Sequence, residues 1–273
     1  KTWGENMKAV VESEALVLFG VHTCDIAGIK ALNIVFSDRP RDYNYLSRKK
    51  DVTIMGLECN EYCDEFASCA MMNNHLPDGG YDLFFTDLGD FFFVEVSTLK
   101  GDVIVEEIPV FEEALGRHFK ELQGLRARKA KTFTNEVGIE YQHVPKILSD
   151  TKESLIWNEL GDKCLACGNC TNVCPTCYCF NIWDEVNLDL KTGKRVRMWD
   201  SCQNEGYAKV AGGESFREER SARQKHRFFK KFKYMVDRYA RFFCTGCGRC
   251  SRTCMAQINL KETLKKLKEE YAR

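Results

Sequence analysis

Eight of the fifteen cysteines fall into two copies of one pattern, C-x2-C-x2-C-x3-C: Cys164, Cys167, Cys170 and Cys174, then Cys244, Cys247, Cys250 and Cys254. Three thiolates three residues apart can wrap one face of an iron–sulfur cubane, each on a different iron. The fourth points away and, in two-cluster proteins, serves the other cluster. The spacing therefore predicts two [4Fe–4S] clusters with exchanged fourth ligands. Cys164, Cys167, Cys170 and Cys254 would hold the first, and Cys244, Cys247, Cys250 and Cys174 the second. Gly168 and Gly248 occupy the same place in both copies, where a missing Cβ lets backbone N–H groups approach the cluster sulfurs. A zinc ribbon needs two C-x2-C pairs and does not account for the repeated steps. An odd number of cysteines, mostly packed into tight loops with no secretory signal, argues against disulfides.

Four further cysteines, Cys24, Cys59, Cys63 and Cys69, lie in the first third of the chain. Cys24 and Cys59 each follow an apolar run that reads as a strand. If the two strands are parallel neighbours, both thiols emerge at one sheet edge, where open α/β sheets build their sites. A third [4Fe–4S] cluster is expected there; the other reading is buried or unliganded cysteine. His22 could replace one ligand, although a histidine at a strand end is more often structural. Cys177, Cys179 and Cys202 receive no ligand role, because three thiolates leave a cubane incomplete.

These ligands need a scaffold, and its pattern is α+β. Residues 1–116 read as a mixed α/β domain: strands at Leu16–Val21 (buried) and Val52–Leu57, a helix over Asp25–Phe36 and a hairpin turning at Asp87–Asp90. A further strand is expected over Asp102–Ile108, and the strand–helix–strand order suggests a parallel crossover. Residues 117–160 read as a helical, charged connector. Residues 161–273 read as an α-helical, two-cluster, ferredoxin-like domain, because about seventy helical-looking residues part the two motifs. A long amphipathic helix at about 214–242 carries Phe228, Phe229, Phe232, Met235 and Tyr239 as an apolar stripe suited to core packing.

Lysine plus arginine equals aspartate plus glutamate at 40 each, so net charge favours neither nucleic acid nor membrane lipid as a partner. No apolar run is long enough to span a bilayer, and a cytoplasmic location is expected. The interval Lys191–Arg241 nevertheless holds fifteen basic against six acidic residues. It is either a solvated face or a source of cations that offset anionic clusters and raise their potentials, with Arg195 and Arg197 as the first candidates. The chain has no G-x-G-x-x-G turn and no Walker loop, so no flavin or nucleotide is expected on it. A flavoprotein reductase with flavin on the first domain and a zinc scaffold are the readings of a different class.

Five segments carry a family resemblance: Phe19–Ile26 (FGVHTCDI), Cys174–Phe180 (CPTCYCF), Trp199–Gln203 (WDSCQ), Val210–Gly213 with Ser215–Arg217, and Cys247–Cys250. Together they resemble the β subunit of sulfhydrogenases, the cytoplasmic NAD(P)-linked [NiFe] hydrogenases of anaerobes, and the related A subunit of anaerobic sulfite reductase. The resemblance implies a helical ferredoxin domain, a partner subunit carrying flavin and NAD(P), and catalytic oxidoreductase subunits holding nickel–iron or sirohaem. It implies an electron-transfer subunit that is not itself catalytic. The chain departs from the pattern at Met255, where proline is usual, and at Glu214-Ser215; neither position is a predicted ligand.

Overall fold

The computed structural model describes residues 8–272, which form two compact units. The first unit takes the chain up to Cys63 and again from Asn73 to Thr134; the second takes Asp64–Met72 and everything from Asn135 onward. The stretch 117–160 is thus shared between the units, and a short strap from early in the sequence belongs to the second one.

The first unit is built on a four-stranded sheet in the order β1-β2-β3-β4: β1 (Leu16–His22), β2 (Val52–Leu57), β3 (Leu83–Asp87) and β4 (Phe92–Val96). The first three strands are parallel and β4 returns antiparallel through the turn at Leu88. Helices α1 (Thr23–Ser37) and α2 (Tyr43–Lys50) make the crossover from β1 to β2. The inner face of α1 is Ile26, Ala27 and Ala31, buried in the core with Leu83 and Phe84. Gly56 lies directly under Phe84, and a Cβ there would come within 2.5 Å of the ring. β1 is an edge strand, so its apolar run is not the buried strand expected: Phe19 is 73% exposed.

Asp102–Ile108 is not a strand. Helix α3 (Leu99–Glu107) occupies it, because Thr98 caps the helix through its hydroxyl and the Gly101 N–H. Gly101 also passes so close to the Asp82 carbonyl that no larger residue fits. Helix α4 (Gly116–Thr132) closes the unit. From it Arg126 and Lys129 reach the buried Glu58 at 2.8 and 2.9 Å, and Thr86 donates to the same carboxylate at 2.9 Å. Burial acts to raise the Glu58 pKa, but the hydrogen bonds from Arg126 and Lys129 outweigh it and hold the carboxyl below its ordinary value.

The second unit is mainly helical. Short helices α5 (Val144–Asp150) and α6 (Ile156–Lys163) precede the first cysteine motif, with α7 (Asn169–Asn172) inside it. Strands β5 (Phe180–Val186) and β6 (Gly193–Trp199) form an exposed antiparallel hairpin, so the interval between the motifs is not wholly helical. The amphipathic helix is shorter than expected and composite. It runs as α8 (Arg220–Phe229), a π-turn (Lys230–Tyr234) and α9 (Met235–Tyr239). Helix α10 (Arg249–Arg252) lies inside the second motif and α11 (Leu260–Tyr271) ends the described chain. Phe228, Phe229 and Phe232 pack with Trp157, Leu148, Leu264 and Leu267 in a core that also takes Met71 and Met72 from the strap. Tyr239 stacks near Phe243 and Met235 is buried, so the stripe serves packing as read.

Candidate metal centres

Both cysteine motifs fold the same way, and four left-handed residues, three of them glycine, explain why. Ala166 and Gly246 hold the matching position in the two copies with φ of 52° and 73°; Gly168 and Gly248 follow with 73° and 71°. Two left-handed residues flanking the middle cysteine curl the loop so that its thiols face one point. Backbone amides then point inward: the N–H of Ala166 donates to Cys164 Sγ at 3.4 Å, and the N–H of Gly246 bonds Cys244 in the same sense. Helices α7 and α10 start after Gly168 and Gly248, carry the third cysteine, and end before the fourth. They pack together, and Asn169 donates across them to the Thr253 carbonyl at 2.7 Å.

The consequence is an interleaved pair of hollows, each of about 390 Å3. Cys164, Cys167, Cys170 and Cys254 line the first. Cys174, Cys244, Cys247 and Cys250 line the second, together with Phe66 and Ser68 of the strap. The strap is fitted to the second motif alone: the N–H of Ser68 donates to the Gly246 carbonyl at 2.7 Å, and Arg252 pairs with Asp64. A Cβ on Gly246 would meet the Ser68 carbonyl at 2.5 Å, and one on Gly248 would meet the Phe66 carbonyl carbon at 2.7 Å.

The electrostatics of both hollows favour an anionic occupant. Arg227 on α8 is 4% exposed, lines the first hollow, and its Nε has no hydrogen-bond partner. Lys231, one turn on, is 5% exposed and lines the second. Its Nζ donates to Cys174 Sγ at 3.0 Å, to Thr176 Oγ1 at 2.9 Å and to the Phe243 carbonyl at 3.1 Å. Buried cations need anions, and the groups nearest to these two are thiols. The Cys177 hydrogen bond, with Lys231 beside it, holds Cys174 well below the ordinary thiol pKa despite burial. Burial pushes Cys244 up to about 12. A thiol in that position ionises when iron replaces its proton. Gln224 Nε2 donates to Cys164 Sγ at 2.9 Å and Arg249 to Cys247 Sγ at 3.4 Å, the sort of contact that tunes a cluster through its sulfurs. Eight thiols in two such hollows, with buried counter-cations and inward amides, fit two [4Fe–4S] clusters.

The cations that line the hollows are not Arg195 and Arg197. Arg195 is exposed on the hairpin and paired with Asp184 at 2.7 Å, Arg197 lies over the Phe180 ring, and neither lines a hollow. Arg227 and Lys231 do, and only their i, i+4 spacing beside an aromatic stripe could have singled them out among fifteen cations.

The other four cysteines divide between the units. Cys24 opens α1, and Cys59 and Cys63 lie in the loop after β2, all in the first unit; Cys69 belongs to the strap in the second. His22 and Leu57 are register partners at the ends of β1 and β2, so Cys24 and Cys59, two residues past each, leave the sheet at the same edge. Cys59 Sγ lies 3.3 Å from His22 Nδ1, and burial raises its pKa. No helix among the described residues is long and apolar enough to cross a membrane.

The comparisons with known proteins agree with this geometry. The family profile of the 4Fe–4S dicluster domain matches residues 163–258, the span that holds both motifs. The chain is 37% identical to the sulfhydrogenase 2 subunit beta of Pyrococcus furiosus over 257 residues, covering 93% of this chain and 74% of that one. It is 26% identical over 138 residues to the F420-dependent formate dehydrogenase 1 subunit beta of Methanococcus maripaludis, covering 48% of this chain and 35% of that one. By its dicluster domain and its likeness along nearly all its length, the chain belongs to the sulfhydrogenase β-subunit family, the iron–sulfur electron-transfer subunits of these hydrogenases.

Proposed function

We propose that the chain relays single electrons between a partner subunit that binds flavin and NAD(P) and a catalytic subunit of the cytoplasmic [NiFe] hydrogenase type, with no flavin of its own. The observation that carries this is the interleaving of the two thiol sets, with Cys254 beside the first motif and Cys174 beside the second. Each bound cluster supplies a one-electron couple. The residues around it hold it closed: four cysteines per hollow leave no position for a substrate. Lys231 and Arg227 offset its charge, while Gln224 and the loop amides donate to its ligands. Hydride chemistry then falls to the partner's flavin. Cys24, Cys59, Cys63 and Cys69 remain the proposed ligands of a third cluster, supported by the shared sheet edge of the first two.

The test is kinetic. Cys167→Ala or Cys247→Ala in the assembled complex should abolish NAD(P)-linked turnover while dye-linked activity of the catalytic subunit persists. Retained physiological turnover after loss of a cluster refutes the relay. Nickel in the copurified partner identifies the hydrogenase reading; sirohaem identifies sulfite reduction.

A further inference from the structure

Three cysteines are left over, and they converge. Cys177, Cys179 and Cys202 line a third hollow of about 310 Å3, close in size to the two cluster hollows. The hairpin brings them there. Cys179 immediately precedes β5 and Cys202 follows β6, and the Asp200 N–H donates to the Cys179 carbonyl at 3.0 Å, tying the hairpin's base. Cys177 is set by the turn after Cys174, through its N–H to the Cys174 carbonyl at 3.3 Å. Cys179 and Cys202 are buried, at 5% and 4% exposure.

The remainder of the lining is cationic and contains no carboxylate: Arg227, Lys230 and Lys231. Lys230 Nζ is 3.9 Å from Cys179 Sγ and Lys231 Nζ is 3.6 Å from Cys177 Sγ. Arg227 is shared with the first hollow and Lys231 with the second, so this hollow adjoins both. Two buried cations, Arg227 and Lys231, and the half-buried Lys230 face these thiols, and burial of a positive charge favours an anion beside it. Three thiolates around an oxidised [4Fe–4S] core carry a net single negative charge, of the sign that these cations attract. Thr176, Tyr178 and Phe243 complete the wall and shield it from water.

We propose that Cys177, Cys179 and Cys202 bind a further [4Fe–4S] cluster through three thiolates, leaving one iron without a protein ligand. Iron binding replaces the proton that Cys179 and Cys202 share in their hydrogen bond. The site rests on the dicluster reading only for its comparison of size and charge. Unlike the eight-cysteine pair, it offers an open coordination position, where a small anionic or neutral Lewis base can bind next to two closed clusters.

The test uses anaerobically purified full-length protein, wild type and Cys179→Ser, with Cys24→Ser/Cys59→Ser as the comparison. Iron and sulfide are assayed and electron paramagnetic resonance is recorded after mild ferricyanide oxidation, which strips the unligated iron and leaves a three-iron cluster. Cys179→Ser should lose about four irons and the three-iron signal while keeping the dithionite-reduced signals of the other clusters. The Cys24→Ser/Cys59→Ser variant should keep the three-iron signal. Unchanged iron in Cys179→Ser, or a Cys179–Cys202 disulfide found by mass spectrometry in fully iron-loaded protein, overturns the proposal. Should the variant misfold, absence of the three-iron signal from wild-type protein overturns it equally. Loss of the reduced dicluster signals from wild type would instead strike at the relay reading.

Discussion

Neutralising Lys231 should lower the potential of the cluster proposed for the second hollow by a measurable amount. Its ammonium lies 3.0 Å from Cys174 Sγ and is almost wholly buried, so solvent screens it little. A reduced cluster carries one more electron than the oxidised form, and a nearby cation stabilises it by the Coulomb energy of that one charge. Taking about 6 Å from Nζ to the cluster centre and an effective dielectric of about 20, the energy is about 2.8 kcal/mol. At roughly 2.3 kcal/mol per 100 mV for one electron, Lys231→Met should shift the potential down by about 120 mV. Lys231→Arg, which keeps the charge, should shift it by less than about a third of that. Redox titration followed by electron paramagnetic resonance resolves such a change, and iron content confirms that both variants are loaded. A Lys231→Met potential within about 30 mV of wild type would show that Lys231 does not balance cluster charge, and would remove the electrostatic argument for its burial.

Two other perturbations test parts of the scaffold. Gly248→Ala forces a left-handed residue and a clash with the strap backbone, whereas a Cβ at the equally left-handed Gly168 meets nothing nearer than Ser201 Oγ at 3.3 Å. The first should cost upwards of about 2 kcal/mol and deplete the second cluster, the second only about 1–2 kcal/mol; equal losses of iron in the two variants would refute the role given to the strap. Glu58→Gln leaves Lys129 buried and charged, with an expected loss of about 3–5 kcal/mol, read by urea unfolding or amide exchange in β2 and β3. Because the folded Glu58 pKa is depressed, its stabilisation is complete above the ordinary carboxylate range and fades as pH falls through the folded value. The variant should lack that part of the pH dependence, and an unchanged profile would count against it.

The dicluster domain was legible because cubane geometry imposes a cysteine spacing that little else imitates, and the parallel pair β1–β2 was legible from two apolar runs with a helix between them. Other features were hidden for physical reasons. Val103, Ile104 and Val105 read as strand by β-branching, but a Thr98 cap and a glycine squeezed against the Asp82 carbonyl settle the segment as helix. The hairpin β5–β6 exposes both faces, so it lacks the alternation that marks a half-buried strand. Edge exposure of Phe19 depends on strand order, which local pattern does not encode. The convergence of Cys177, Cys179 and Cys202 needed the hairpin, since residues 23 or more apart meet only once its ends are tied.

The strap Asp64–Met72 has a consequence for how the protein can be cut or inherited. The backbone passes between the two units three times, after Cys63, after Met72 and after Thr134, so no single break in the gene separates them. A fragment beginning at Asn135 would contain every one of the eight motif cysteines yet leave Gly246 and Gly248 without the backbone that covers them. Ribosomal synthesis delivers that cover more than a hundred and seventy residues before the loop it seats against. The amino-terminal half is therefore made first and must wait, partly unfinished, for the last cysteine motif to arrive.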